Sequence, residues 1–136
     1  MALPIAVLDT HVVVSTALLP TSTSGRALLK ALGQCELVMS NATWNELQEV
    51  LHRSKFDRYF APAGRRTEFL HVLARSTRWC EPSTRINDCV DPKDNKFLEL
   101  ACDASATLIV SGDDDQLRMN PWRKVAILTP AAFLVM

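Results

Sequence analysis

Ile5–Ala6–Val7–Leu8–Asp9–Thr10–His11–Val12–Val13–Val14 is the stretch that decides the fold. Residues 5–8 are all apolar, so no position marks a solvent side. That pattern belongs to a strand buried on both faces, the habit of parallel sheets. The run ends on a carboxylate. A charge directly after a doubly buried strand is poorly placed for plain solvation, so Asp9 needs a partner or a task. Apolar residues then continue as a helix over Val12–Leu19, and Pro20 ends it.

The rest of the chain repeats this alternation. Ser24 is a candidate N-cap for a helix through Leu32, with Gly33 as its stop. Leu37–Ser40 reads as a second strand, and Ser40 or Asn41 caps a helix through about His52. Residues 54–79 read as helical, as two helices broken near Pro62–Gly64, with Trp79–Glu81 a short third strand. Asp91 or Asp94 opens a helix to about Ala106. Thr107–Val110 is a β-branched, apolar fourth strand, Asp114–Met119 a short helix or turn, Val125–Leu128 a fifth strand, and Pro130 starts a last helix. Strands alternating with helices give an α/β fold with a mostly parallel sheet and helices on both faces. In such sheets ligands bind at the carboxyl ends of the strands, where strand order reverses.

At 136 residues the chain suffices for one domain, 1–136, and not for two. Fifteen basic residues balance fifteen acidic ones, which argues against a broad basic surface holding nucleic acid by charge alone. Residues 1–19 contain Asp9 and His11 and lack a basic start, so they read as strand and helix, not as a signal peptide. No apolar run approaches the roughly 20 residues of a membrane span. Cys35, Cys80, Cys89 and Cys102 form no CxxC pair, so a zinc site is a poor reading and reduced thiols in a cytoplasmic protein the better one.

Acidic residues gather where the switch-point rule directs attention. Asp9 ends the first strand. Asp113 and Asp115 follow the fourth strand in Ser111–Gly112–Asp113–Asp114–Asp115. Glu46 lies in the first turns of the helix after strand two, and Asp94 starts the helix before strand four. Carboxylates brought together repel, and a hard divalent cation such as Mg²⁺ or Mn²⁺ compensates them. A cation so held activates water and neutralises phosphate charge. The chain has no GxxxxGK[ST], GxGxxG or GxSxG motif, which leaves metal-assisted phosphodiester hydrolysis as the natural chemistry. Each acid also has a plainer reading. Asp94 is placed to cap a helix, Glu46 and Glu49 to share a solvated face, and Asp113–Asp115 to form a polar turn. Asp91, followed by Pro92, reads as a cap rather than a catalytic group.

Val7–Leu8–Asp9–Thr10, Asn45–Glu46–Leu47, Asp91–Pro92–Lys93–Asp94–Asn95–Lys96–Phe97–Leu98 and Ser111–Gly112–Asp113–Asp114–Asp115 together resemble the PIN domain. More narrowly, they resemble the prokaryotic PIN-family toxins of toxin–antitoxin systems, relatives of VapC. Arg53–Ser54–Lys55–Phe56 and Ile127–Leu128–Thr129–Pro130 are also similar, and the likeness spans nearly the whole chain. It implies a three-layer α/β/α sandwich with a five-stranded parallel sheet in the order 3-2-1-4-5. It implies a Mg²⁺- or Mn²⁺-dependent endoribonuclease, a small cognate antitoxin, and a homodimer. Asp9, Glu46, Asp94 and Asp113 match the family's acidic positions, and Asp115 a further acid near the site. Thr10 and Ser111 flank them as supporting residues. The family's first motif reads Asp-Thr-Asn, and here His11 replaces the asparagine. Imidazole still offers a hydrogen-bond donor, and its charge changes near neutral pH.

Arg26, Lys30, Arg53 and Lys55 are candidate phosphate contacts, each equally at home on a solvated face. Trp44 and Trp79 read as core residues, and Trp122 as a loop residue with a partly exposed ring. Other readings fit less well. A phosphatase of the haloacid-dehalogenase type wants an aspartate where His11 stands, and a response-regulator receiver wants a lysine after the last strand, where Thr129–Pro130 stands. A PIN scaffold that binds RNA or protein without catalysis is the remaining alternative.

The two aspartates of different assignment provide a test. Asp9→Asn is expected to abolish metal-dependent RNA cleavage, whereas Asp91→Asn is expected to retain most of it. Equal losses in a side-by-side cleavage assay would show that the two roles are wrongly divided.

Overall fold

In the computed structural model, which describes residues 2–61 and 64–136, five strands form one sheet. They are β1 (Ile5–Leu8), β2 (Glu36–Met39), β3 (Thr77–Trp79), β4 (Leu108–Val110) and β5 (Ala126–Leu128), ordered β3-β2-β1-β4-β5 with every pairing parallel. The helices are α1 (Thr10–Leu18), α2 (Thr23–Gln34), α3 (Asn41–Leu51), α4 (Arg65–Arg75), α5 (Asn95–Asp103), α6 (Asp114–Leu117) and α7 (Pro130–Leu134).

Strand side chains point alternately to opposite faces, and the core divides accordingly. Val7, Val38, Ile109 and Ile127 pack with Phe97, Leu98, Leu100 and Ala101 of α5. Ala6, Leu37, Leu108 and Val110 pack on the other face with Ala27, Leu28 and Ala31 of α2 and Phe133 of α7. Both faces are therefore covered, as the unbroken apolar strands require. The chain builds outward from β1 to β3 and then returns to add β4 on the opposite side. Strand order thus reverses between β1 and β4, whose carboxyl ends lie side by side at Leu8 and Val110. No helix among the described residues is long and apolar enough to cross a membrane.

Several boundaries differ from the sequence expectation, each for a local reason. Helix α1 starts at Thr10 rather than Val12, because Asp9 itself is the N-cap and accepts from Val12 N–H at 2.9 Å. Helix α2 is capped by Ser22, not Ser24, and runs through Gly33 to Gln34. The third strand is Thr77–Trp79, two residues before the expected Trp79–Glu81. Glu81 instead turns its carboxylate onto the N–H of Asn41 at 2.5 Å. Residues Ser54–Tyr59 form a 3₁₀ helix rather than an α-helix, and of the expected break near Pro62–Gly64, residues 62 and 63 lie outside the described residues. Helix α5 begins at Asn95 after a 3₁₀ turn (Pro92–Asp94) and stops at Asp103 rather than about Ala106. Trp122 is buried, with its indole N–H donating to Asp88 at 2.9 Å, while Trp79 is 40% exposed.

Gly25 occupies a position the periodic pattern does not reveal. A Cβ there would lie 2.0 Å from the carbonyl oxygen of Pro20, so the chain between α1 and α2 closes against bare backbone. Gly25→Ala is expected to destabilise the protein by about 1–3 kcal/mol, the usual range for overpacking against an unyielding neighbour. Chemical denaturation measures this; a variant as stable as the wild type would show that the α1–α2 link gives way freely.

Candidate metal centre

Asp9 is 4% exposed, directly at the end of β1. Its Oδ1 accepts from the N–H of Val12, and its Oδ2 accepts from Ser111 Oγ at 2.5 Å and the N–H of Gly112 at 3.2 Å. The backbone makes this possible. Asp9 N–H donates to Val110 across the β1–β4 pair, so the residue after β4 arrives beside the residue after β1. Ser111, fully buried, in turn accepts from the N–H of Asp113 and so ties the next acid to the same point.

The remaining acids line the same cleft of about 830 Å³ at the carboxyl edge of the sheet. Its walls include Asp9, Glu46, Asp91, Asp94, Asp113 and Asp115, with Thr10 and His11. Asp94 and Asp113 each stand at a helix N-cap position, before α5 and α6, yet neither side chain makes a capping bond. The plainer reading of Asp94 as a cap is thus not realised; Asp91 does the capping, accepting from Lys93 N–H at 2.9 Å. The carboxylates of Asp94 and Asp113 are left to face each other. Glu46, on α3, is held otherwise: one oxygen accepts from Thr10 Oγ1 and the other from Lys96 Nζ at 3.0 Å. Asp115 accepts from Arg118 at 2.7 Å. His11 is exposed at the cleft, and its charge favours the ionised form of Asp9.

Partial burial pushes the Asp94 carboxyl up to about 6, reinforced by the charges of Asp113 and Asp91 and by a hydrogen bond with Asp113; Lys96 opposes the rise. Burial also raises Asp9, against the hydrogen bonds from Ser111, Val12 and Gly112. These are carboxylates in want of positive charge. Gln116 of α6, 2% exposed on the same cleft wall, has neither amide atom partnered. The carboxylates here are hard oxygen donors, which fit Mg²⁺ or Mn²⁺ and not a thiolate-seeking metal. As placed, however, no three His, Cys, Asp or Glu side chains among the described residues are gathered into a cation-holding group.

Of the four basic candidates only Arg53 lines the cleft, where it pairs with Glu49 at 3.0 Å. Lys30 is committed elsewhere: its ammonium donates to the carbonyls of Phe133, Leu134 and Met136 at the end of α7 and lies over the Phe133 ring. Arg26 is exposed on α2, and Lys55 lies over the Phe56 ring; neither lines the cleft. Sequence reasoning assigned no role to Lys93, Lys96 or Gln116. Gln116 carried a faint signal, a lone amide three residues after Asp113. Lys96 carried none, since its partner Glu46 is fifty positions away.

A family model described as PIN domain matches residues 6–115. Among solved structures, VapBC2 from Rickettsia felis, bound to a DNA fragment from its promoter, has a chain that superposes with a TM-score of 0.60 at 13% identity, covering 90% of this chain and 96% of that one. PAE2754 from Pyrobaculum aerophilum superposes with a TM-score of 0.57 at 12% identity, covering 97% and 88%. No curated protein matches the sequence.

The raised Asp94 carboxyl has a consequence for stability. The folded chain holds that proton more tightly than the unfolded chain, whose carboxyl keeps the ordinary value of 3.8. The stability it contributes is complete below that value and is lost as pH rises through about 6. Without metal, Asp94→Asn is expected to flatten this decline and to be more stable than the wild type at neutral pH. The difference should be on the order of 1 kcal/mol, because the group is partly solvated. Denaturation curves across that range in the presence of EDTA measure it; parallel declines in both proteins would show that Asp94 carries no such strain.

Proposed function

This chain belongs to the PIN-domain family, and from that premise we propose that it is a Mg²⁺- or Mn²⁺-dependent endoribonuclease, the toxin of a toxin–antitoxin pair. PIN domains are generally nucleases, and the VapBC2 likeness supports an antitoxin protein as partner. The observation that carries the reading is the convergence of Asp9, Asp94 and Asp113 on one cleft, with the last two freed from capping.

In this reading Asp9, Asp94 and Asp113 hold the ion, with Glu46 and Asp115 completing its surroundings. When bound, the ion supplies an activated water and neutralises charge on the phosphate. The chain's own work is orientation. Ser111 Oγ and the N–H groups of Val12 and Gly112 fix the Asp9 carboxylate, and Thr10 fixes Glu46. Lys93 and Arg53 on the cleft wall offer cations to RNA phosphates. A cytoplasmic homodimer belongs to the same proposal. One alternative needs no cation-holding group, and none is assembled among the described residues: a scaffold that binds RNA or protein without cutting.

Single-stranded and structured RNA are expected to be cut with millimolar Mg²⁺ or Mn²⁺ and left whole with EDTA. Folded protein that binds RNA and leaves it intact with either ion would establish the scaffold in place of the nuclease.

A further inference from the structure

The Lys96 ammonium donates at 3.0 Å to a carboxylate oxygen of Glu46, a residue of the acidic cleft's wall, and also donates to the carbonyl of Lys93, another residue of that wall. Its side chain is 18% exposed and that of Glu46 26%, so this is not a loose surface pair. The other Glu46 oxygen is taken by Thr10, and both oxygens of this acid are thus occupied. Lys96 stands two positions after Asp94, whose acidity its charge also influences. Other cations near the cleft are engaged differently: Arg53 with Glu49, Arg118 with Asp115 at the rim.

We propose that Lys96 is an internal counter-cation that holds Glu46 until a divalent ion displaces it, and so sets the affinity of the cleft for metal. This inference rests on the metal reading above. An ammonium and a divalent ion compete for the same carboxylate charge, and each weakens the other's hold. Lysine suits the role, being a compact charge on a flexible four-carbon stem that can swing away without moving the helix. The residue is therefore a positioning group. It stabilises the metal-free acids and lowers metal affinity by the same contact.

The test is calorimetric titration of Mn²⁺ into wild type, Lys96→Met and Lys96→Arg, with metal-free thermal unfolding of each. Lys96→Met is expected to bind Mn²⁺ about tenfold more tightly, the scale of one partly solvated charge contact. Its metal-free Tm should be lower than that of the wild type and its rise on adding Mn²⁺ larger. Lys96→Arg keeps the charge and should stay within about twofold of the wild type in affinity. Should Lys96→Met not fold, Lys96→Gln removes the charge with a polar side chain and carries the same expectation. If the wild type binds Mn²⁺ and removing the charge leaves affinity equal or weaker, this inference falls while the metal site stands. If none of the proteins binds Mn²⁺, the metal reading falls and this one with it.

Discussion

The Asp9 carboxylate is the knot on which this structure depends. It ends β1, caps α1 through Val12, and takes hydrogen bonds from Ser111 and Gly112 after β4. One side chain thereby joins a strand, a helix and the neighbouring strand's exit. A buried charge is tolerated only when its oxygens are satisfied, and here three donors satisfy them. The arrangement is also strained in one respect: the partners of Asp9 are neutral, and burial still raises its pKa. The geometry of this carboxylate is complete, and its hydrogen-bond donors are all neutral.

The same imbalance recurs around it. Asp94 and Asp113 stand at helix starts without using them, and the charge of Asp113 adds to the rise that burial imposes on Asp94. A protein selected for stability alone would turn such carboxylates onto the free N–H groups beside them, as Asp91 and Asp103 do. Asp91 accepts from Lys93 N–H. Asp103 accepts from Ser83 and Thr84, and these bonds hold its carboxyl down at about 2. Asp91 and Asp103 thus serve the fold, while Asp94 is a burden on it at neutral pH.

Much of this was legible in the sequence because it rests on local patterns. The unbroken run at Ile5–Leu8 marked a doubly buried strand, Thr107–Val110 read as a β-branched, apolar one, and Asp9 after the first run marked the candidate site. Resemblance to the PIN family supplied the strand order that periodicity does not contain. What escaped depended on distant partners. Ser22 rather than Ser24 caps α2 because the chain closes tightly at Gly25. The connection from 80 to 91 has no periodic signal. It is held by side chains of α5, Asp103 on Ser83 and Thr84 and Glu99 on Ile86 N–H at 3.0 Å. Lys30 looked like a phosphate contact and instead binds the last carbonyls of α7, more than a hundred positions away. Trp122 looked partly exposed because the loop around it is polar, while its ring is buried and its indole N–H donates to Asp88.

The Ser111–Asp9 bond joins residues 102 positions apart, and β1 is made well before β4. Contacts of such long sequence separation form late, because chain closure costs entropy before it is rewarded. During synthesis the segment bearing Asp9 emerges long before Ser111 and Asp113 exist to meet it. A ribosome-bound chain therefore cannot assemble the cleft until the segment around residue 111 has left the tunnel.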